Sequence, residues 1–295
     1  MLFAENNIYR KIGAIARLTR IEHGIMLSFA VFIGFIIIGV RDVNPFDFIY
    51  TLLVPFFIEM GIFALNDMLD YKTDELNRRN DRPLVTKEIG CSEARIISTV
   101  CLVAGIFFSS LINPTALLIT TIFSAFGIIY NYRMKDIPLL GNMFIGITMG
   151  IPFIFADVSF SGGITEKSLY LFSIAFIIGF AREIVKSVED YRGDLIARGS
   201  RTLPILIGPK LSMMAAGLIF LMFVPISFYS IMVMSEFSIN FITAALLFIS
   251  YIIIVYSLWE CFFCSGECLA EAKMIKKLTL FAMAVGLIAI FLSAI

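Results

Sequence analysis

Asn66, Asp70 and Asp74 recur every fourth residue in the run Asn66-Asp67-Met68-Leu69-Asp70-Tyr71-Lys72-Thr73-Asp74, and Asp190 and Asp194 repeat the spacing in Glu189-Asp190-Tyr191-Arg192-Gly193-Asp194. On a helix, residues four apart share one face, so each run presents a row of oxygen ligands. Carboxylates held that close repel one another unless a cation bridges them, and hard oxygen donors of this kind suit Mg²⁺. Two such rows facing each other would hold a diphosphate through metal ions.

Basic residues accompany both runs. Arg182, Lys186, Asp190 and Asp194 form one charged stripe that begins inside an apolar stretch. Ionisable groups at such depth are costly and usually face a cavity or a partner. Lys186 can neutralise part of the stripe by pairing with Asp190. After the first run come Arg78 and Arg82, and a third cluster, Tyr130-Asn131-Tyr132-Arg133-Met134-Lys135-Asp136, adds Arg133 and Lys135. These cations are candidates to contact phosphate oxygens that metals leave exposed. Alone, the third cluster reads as an ordinary interfacial anchor. Some of the 30 Phe and 10 Tyr should line an apolar groove, where an aromatic wall stabilises a transient carbocation.

The elements that must position these residues are membrane helices. Hydrophobic residues make up 59% of the 295 and charged residues 16%, with a mean hydropathy of +0.93. A soluble domain is nearer half apolar and a quarter charged. Apolar runs long enough to cross a bilayer fall at 21–40, 48–69, 93–112, 114–131, 138–156, 167–189, 209–234, 238–260 and 275–295. Asn113-Pro114, Ile137-Pro138 and Ile207-Gly208-Pro209 punctuate them as turns. The expected architecture is all-α and polytopic: nine transmembrane helices in one bundle, forming a single domain over residues 1–295.

The basic residues set the orientation. Of the 23 Lys and Arg, 19 fall on one side of this topology, Arg41 and Lys167 on the other, and Arg182 and Lys186 within the sixth span. The crowded side is therefore cytoplasmic, with the N-terminus inside, the C-terminus outside, and both acidic runs facing the cytoplasm of a multi-pass cell-membrane protein. Residues 1–20 are too polar for a signal-peptide core, and the following apolar run lacks a small-residue cleavage pattern, so it reads as the first span.

Other chemistries fall away. There is no basic stripe interleaved with aromatics, and nucleic-acid binding is not expected. His23 is the single histidine, which removes His-based metal sites and makes a Ser-His-Asp triad unsupported. The five cysteines form no secreted-type disulfide framework: Cys91 and Cys101 stand alone, and Cys261, Cys264 and Cys268 read as bland membrane-helix cysteines, a metal site there lacking a fourth ligand.

The pattern Asn66-Asp67-x-x-Asp70-x-x-x-Asp74, the Arg78 to Arg82-Pro83 stretch after it, and Asp190-x-x-x-Asp194 resemble the UbiA superfamily of intramembrane prenyltransferases, over nearly the whole chain. Within that superfamily, Arg182 to Asp190 and Gly199-Ser200-Arg201-Thr202-Leu203-Pro204-Ile205 look like archaeal digeranylgeranylglyceryl phosphate synthases. The resemblance implies an isoprenyl diphosphate donor, geranylgeranyl diphosphate by preference, and a lipophilic acceptor such as geranylgeranylglyceryl phosphate. It also implies two Mg²⁺ ions, one on Asn66, Asp70 and Asp74 and the other on Asp190 and Asp194. Asp67 would assist or bind directly. Lys135 with Arg78 or Arg82 would stabilise the departing diphosphate, and Arg20 and His23 would touch the acceptor. The donor tail would lie in a groove open to membrane lipid.

Two further readings remain open at this stage. An aromatic acceptor would make the enzyme a prenyltransferase of quinone biosynthesis. A membrane transporter would also carry intramembrane charges, though near the midplane and not gathered at one surface. A head-group transferase is disfavoured, since no Asp-Gly-x-x-Ala-Arg run occurs.

Overall fold

A computed structural model describes residues 2–40, 43–76, 78–197, 201–233 and 240–294. Among them no strand occurs. The helices are α1 (Leu2–Thr19), α2 (Ile21–Ile38), α3 (Pro45–Leu76), α4 (Cys91–Ser110), α5 (Pro114–Tyr132), α6 (Leu140–Ser161), α7 (Glu166–Glu189), α8 (Tyr191–Ala197), α9 (Leu203–Ile207), α10 (Pro209–Val233), α11 (Phe241–Phe263) and α12 (Leu269–Ala294). All but α1, α8 and α9 are long and apolar enough to span a bilayer, giving nine candidate spans among the described residues. Backbone polar groups have no water to bond in hydrocarbon, which is why the apolar runs close on themselves as helices.

The turn chemistry read from the sequence sets several boundaries. Asn113 caps α5, its side chain accepting from the Ala116 amide at 2.8 Å, with Pro114 in the first turn where its missing N–H costs nothing. Asn240 caps α11 in the same way through the Thr243 amide at 2.9 Å. Gly162 closes α6 in the left-handed conformation, φ 77°, which glycine adopts without a Cβ penalty. Two helices outrun their apolar cores. At 32 residues, α3 is about 48 Å long against a hydrocarbon layer of about 30 Å, so its last turns stand clear of the apolar layer. Expected to start at 275, α12 instead begins at Leu269, and Lys276 in its early turns pairs with Glu189 of α7.

The chain forms two compact units, Met1–Phe32 with Asp42–Arg133, and Ile33–Arg41 with Met134–Ile295. In the first, Ala14 and Leu18 of α1, Ala64 of α3 and Ala94 of α4 bury a small core together with Leu84 and Ile89 of the α3–α4 connection. That core fixes the connection beside the C-terminal end of α3. In the second, α7 is the central element. Ile177, Ala181, Ile184, Val185 and Val188 are buried in one core with Met213, Ala216 and Phe220 of α10, Ile254 and Cys261 of α11, and Ala272 and Ile275 of α12.

Where helices meet most closely, small residues allow it, as expected where the lipid competes equally for large apolar side chains. A Cβ on Gly150 of α6 would lie 2.7 Å from the Phe172 carbonyl oxygen of α7, and one on Gly146 would lie 3.0 Å from the Phe180 nitrogen. Backbone cannot yield as a side-chain tip can. Gly150→Val is expected to cost about 1–3 kcal/mol through overpacking, read as a lower midpoint of thermal unfolding in detergent micelles. An unchanged midpoint would mean that α6 and α7 do not approach this closely.

The α11–α12 turn corrects one expectation. Cys264 and Cys268 are joined as a disulfide, with Cα atoms 5.5 Å apart, whereas Cys91, Cys101 and Cys261 are free. The pairing needs Cys268 at φ 55° and Gly266 at φ 70°, a turn conformation that spacing alone does not announce.

Candidate active site

The first acidic run lies entirely on α3. Asn66, Asp70 and Asp74 therefore share the face their spacing predicts. Asn66 donates from Nδ2 to Asp70 Oδ2 at 3.1 Å and to Asn131 Oδ1 of α5 at 2.8 Å. Asn131 is buried and donates in turn to the Gly127 carbonyl at 3.1 Å. With the amide nitrogen committed, Asn66 has its carbonyl oxygen left to offer. Asn131 thus orients a candidate ligand, although the sequence alone marks it only as part of an interfacial cluster.

Asp67 does something different from its neighbours. Turned off the Asn66 face, it is only 1% exposed and receives two guanidinium groups. Arg20 Nη2 donates to Oδ1 at 2.9 Å, while Arg82 Nη1 lies 3.1 Å from Oδ1 and 3.3 Å from Oδ2. Arg20 also stacks over the Phe63 ring, 4.1 Å from its centroid. Burial and the nearby Arg82 charge lower the Arg20 pKa, against the pull of Asp67. Arg82 Nε is 3.9 Å from Asp74 Oδ2, buried, and makes no hydrogen bond. Arg82 Nε also lies 3.6 Å from Asp81 Oδ2, so Arg82 stands among three carboxylates, those of Asp67, Asp74 and Asp81. A cavity of about 340 Å³ borders the two guanidiniums, lined by Ala16, Arg17, Arg20, Glu22, Asp81 and Arg82 and by none of the Asn66–Asp70–Asp74 row.

The remaining candidates of this unit are peripheral. His23 is exposed, its ring 5.0 Å from that of Phe63. Arg78 is exposed at φ 52°. Its neighbour Arg79 holds Asp81 through two 3.0 Å bonds, which lowers the Asp81 pKa. Arg133 is exposed at the end of α5.

In the second unit the charged stripe keeps its spacing but not an unbroken helix. The amide of Asp190 bonds to the Lys186 carbonyl and that of Asp194 to the Asp190 carbonyl, each at 3.0 Å. However, α7 ends at Glu189 and α8 resumes at Tyr191, with Asp190 capping α7. Ion pairs hold this junction against the α11–α12 region: Glu189 with Lys276, and Arg192 with Glu267 at 2.6 Å. Lys186 pairs one turn back with Glu183 at 2.7 Å. Arg182 Nε is buried without a hydrogen-bond partner. Lys135 is half-buried in a short 3-10 turn, Met134–Asp136. Gly199 and Ser200 lie outside the described residues.

Among the described residues no group of three or more His, Cys, Asp or Glu comes together. That donor set still fits Mg²⁺, which is commonly held by one or two carboxylates while water and substrate phosphate complete its octahedron. Asp70, Asp74 and the Asn66 carbonyl supply such a partial set, and Asp190 and Asp194 another. The orphaned Nε atoms of Arg82 and Arg182 suit anionic oxygens.

A match to the UbiA prenyltransferase family covers residues 27–262 and takes in both acidic runs. The chain is a member of that family. It is thus a multi-pass membrane enzyme, a prenyltransferase. Among curated relatives, the digeranylgeranylglyceryl phosphate synthase of Archaeoglobus fulgidus is 32% identical over 289 residues, covering 98% of this chain and 97% of its own. That of Methanobrevibacter smithii is 34% identical over 174 residues, covering 57% and 61%. A solved structure from work on digeranylgeranylglyceryl phosphate synthase in membranes superimposes with a TM-score of 0.80 at 27% identity, over 96% of this chain and 98% of that one. A UbiA homologue from A. fulgidus bound to GPP and Mg²⁺ shares the fold, with a TM-score of 0.65 at 22% identity over 94% and 99%.

Proposed function

We propose that this prenyltransferase transfers a geranylgeranyl group from geranylgeranyl diphosphate to geranylgeranylglyceryl phosphate, as in archaeal ether-lipid synthesis. The observation that carries the acceptor assignment is the end-to-end likeness to the A. fulgidus synthase. The donor assignment draws on the geometry of α3 and on the GPP- and Mg²⁺-bound relative. In this reading both compact units serve one transferase domain. One Mg²⁺ is held by Asn66, Asp70 and Asp74 and a second by Asp190 and Asp194. The ions supply charge to neutralise the diphosphate as it leaves, the kind of electrostatic contribution that usually dominates such chemistry.

The residues of this chain do the rest. Asn131 and Asp70 hold the Asn66 amide in place. The buried Arg20–Asp67–Arg82 group places two guanidiniums at the end of α3, and Lys135, Arg133, Arg78, Lys186 and Arg182 are further candidate contacts for phosphate oxygens. His23 and Arg20 border the acceptor. The allylic carbon loses its diphosphate oxygen and is attacked by the acceptor hydroxyl. The acidic runs face the cytoplasm, with the N-terminus inside and the C-terminus outside.

The test is an acceptor panel: purified full-length protein, geranylgeranyl diphosphate and Mg²⁺, with geranylgeranylglyceryl phosphate, 4-hydroxybenzoate or 1,4-dihydroxy-2-naphthoate, products identified by mass. The expected product forms with the glycerol phosphate alone. Prenylation of an aromatic acid instead would move the enzyme to quinone biosynthesis.

A further inference from the structure

Glu59 lies midway along α3, within the apolar stretch between Pro55 and Gly61. At 3.6 residues per turn, its azimuth falls within about 20° of both Asn66 and Asp70, and it sits about 10 Å from Asn66 along the axis. It therefore continues the ligand face into the membrane by two turns.

The opposing element on that side is α2, which runs antiparallel to α3. Ser28 Oγ donates to the Leu52 carbonyl at 2.7 Å. Gly24 approaches Phe56 so closely that a Cβ would lie 3.1 Å from the Phe56 carbonyl oxygen. His23 meets Phe63, and Arg20 reaches Asp67. Glu59 falls between the Gly24–Phe56 and His23–Phe63 contacts, and Arg20 is the charged group that acts on it. Among the described residues its half-buried carboxylate takes part in no hydrogen bond or ion pair.

Another acidic residue within a span shows the alternative. Asp157 of α6 is fully buried, and Ser161, Ser168 and the Thr165 amide donate to it, so it stitches α6 to the start of α7. Glu59 has no such structural employment. A carboxylate without a hydrogen-bond or ion-pair partner in hydrocarbon is costly, and such groups mark functional positions.

We propose that Glu59 is a catalytic base that takes the acceptor's proton. The inference rests on the prenyl-transfer reading given above. A donor whose diphosphate is held at Asp70 and Asp74 must send its apolar tail along α3 into the membrane. Its reacting carbon then lies between the levels of Asn66 and Glu59. The carbon–oxygen bond to diphosphate breaks, the acceptor oxygen forms a bond to that carbon, and the acceptor proton passes to the Glu59 carboxylate. Diphosphate leaves with the bonding electron pair, and no other reactant is needed.

The test compares wild type, Glu59→Gln and Glu59→Asp as purified full-length proteins with geranylgeranyl diphosphate, geranylgeranylglyceryl phosphate and Mg²⁺. Glu59→Gln, nearly isosteric, should lower kcat by about 100-fold or more while donor binding, donor KM and the thermal midpoint stay unchanged. Glu59→Asp should recover part of the rate. Residual diphosphate release in the Gln variant should yield geranylgeraniol, the cation being captured by water. A Gln variant with kcat within about threefold of wild type, or one that loses donor binding in step with rate, would overturn the role. Wild type that prenylates no acceptor would overturn the proposed function and this inference with it. An active wild type beside an unimpaired Gln variant overturns the base alone.

Discussion

Asp70→Ala should reduce kcat/KM by about three orders of magnitude, the scale of losing one preorganised electrostatic contact to a developing charge. Asp194→Ala should do the same. Neither should unfold the protein, because Asp70 and Asp194 are only half-buried, and the hydrogen bond that Asp70 accepts from Asn66 is worth about 1 kcal/mol net. The informative variant is the double mutant. Residues acting on one transition state give strongly non-additive losses. Asp70→Ala/Asp194→Ala is therefore expected to be about as slow as the slower single mutant. If the two losses multiplied instead, the acidic runs would be serving separate steps, and a single two-metal site would be the wrong description. The measurement is steady-state turnover at saturating Mg²⁺, with thermal unfolding to certify each variant.

How much of this was legible beforehand depends on what each feature rests on. Asn66, Asp70 and Asp74 were readable because a period of four inside a helix needs only local geometry, and α3 stays helical through all of them. The nine spans were readable because bilayer thickness imposes a length on apolar runs. The break at Asp190 was not, since periodicity continues across it and the interruption is tied to ion pairs with residues 75 or more positions away, Glu267 and Lys276. The pairing of Cys264 with Cys268 depends on two left-handed residues in the turn. Asn131 and the partners of Asp67, Arg20 and Arg82 in the helix connections, are tertiary contacts with no counterpart in one-dimensional spacing. Glu59 was not singled out from the sequence, and its isolation becomes evident only when its neighbours are known.

The largest stability effect should come from Asp67→Ala, which is adjacent to the metal face yet plays another part. Asp67 is 1% exposed, and the side chains of Arg20 and Arg82 are 20% and 16% exposed, so the three charges are largely withdrawn from water. Removing the carboxylate leaves two guanidiniums facing each other, Arg82 keeping only longer contacts to Asp81 at 3.6 Å and Asp74 at 3.9 Å. Breaking a buried pair by deleting one partner typically costs 3–5 kcal/mol, because the orphaned charge stays desolvated. The expected result is therefore a loss of about 3–5 kcal/mol, seen as a marked fall in the thermal midpoint in micelles. Asp67→Ala combined with Arg20→Met should recover part of that loss, since the second change removes one of the uncompensated charges and keeps an apolar stem against Phe63. This compensation, read in the thermal midpoint, separates a structural hub from a ligand: a stability loss with any other origin would not be offset when Arg20 is also removed. A single mutant destabilised by less than about 1 kcal/mol would mean that water reaches the guanidiniums, and that Asp67 belongs with its neighbours on the metal face.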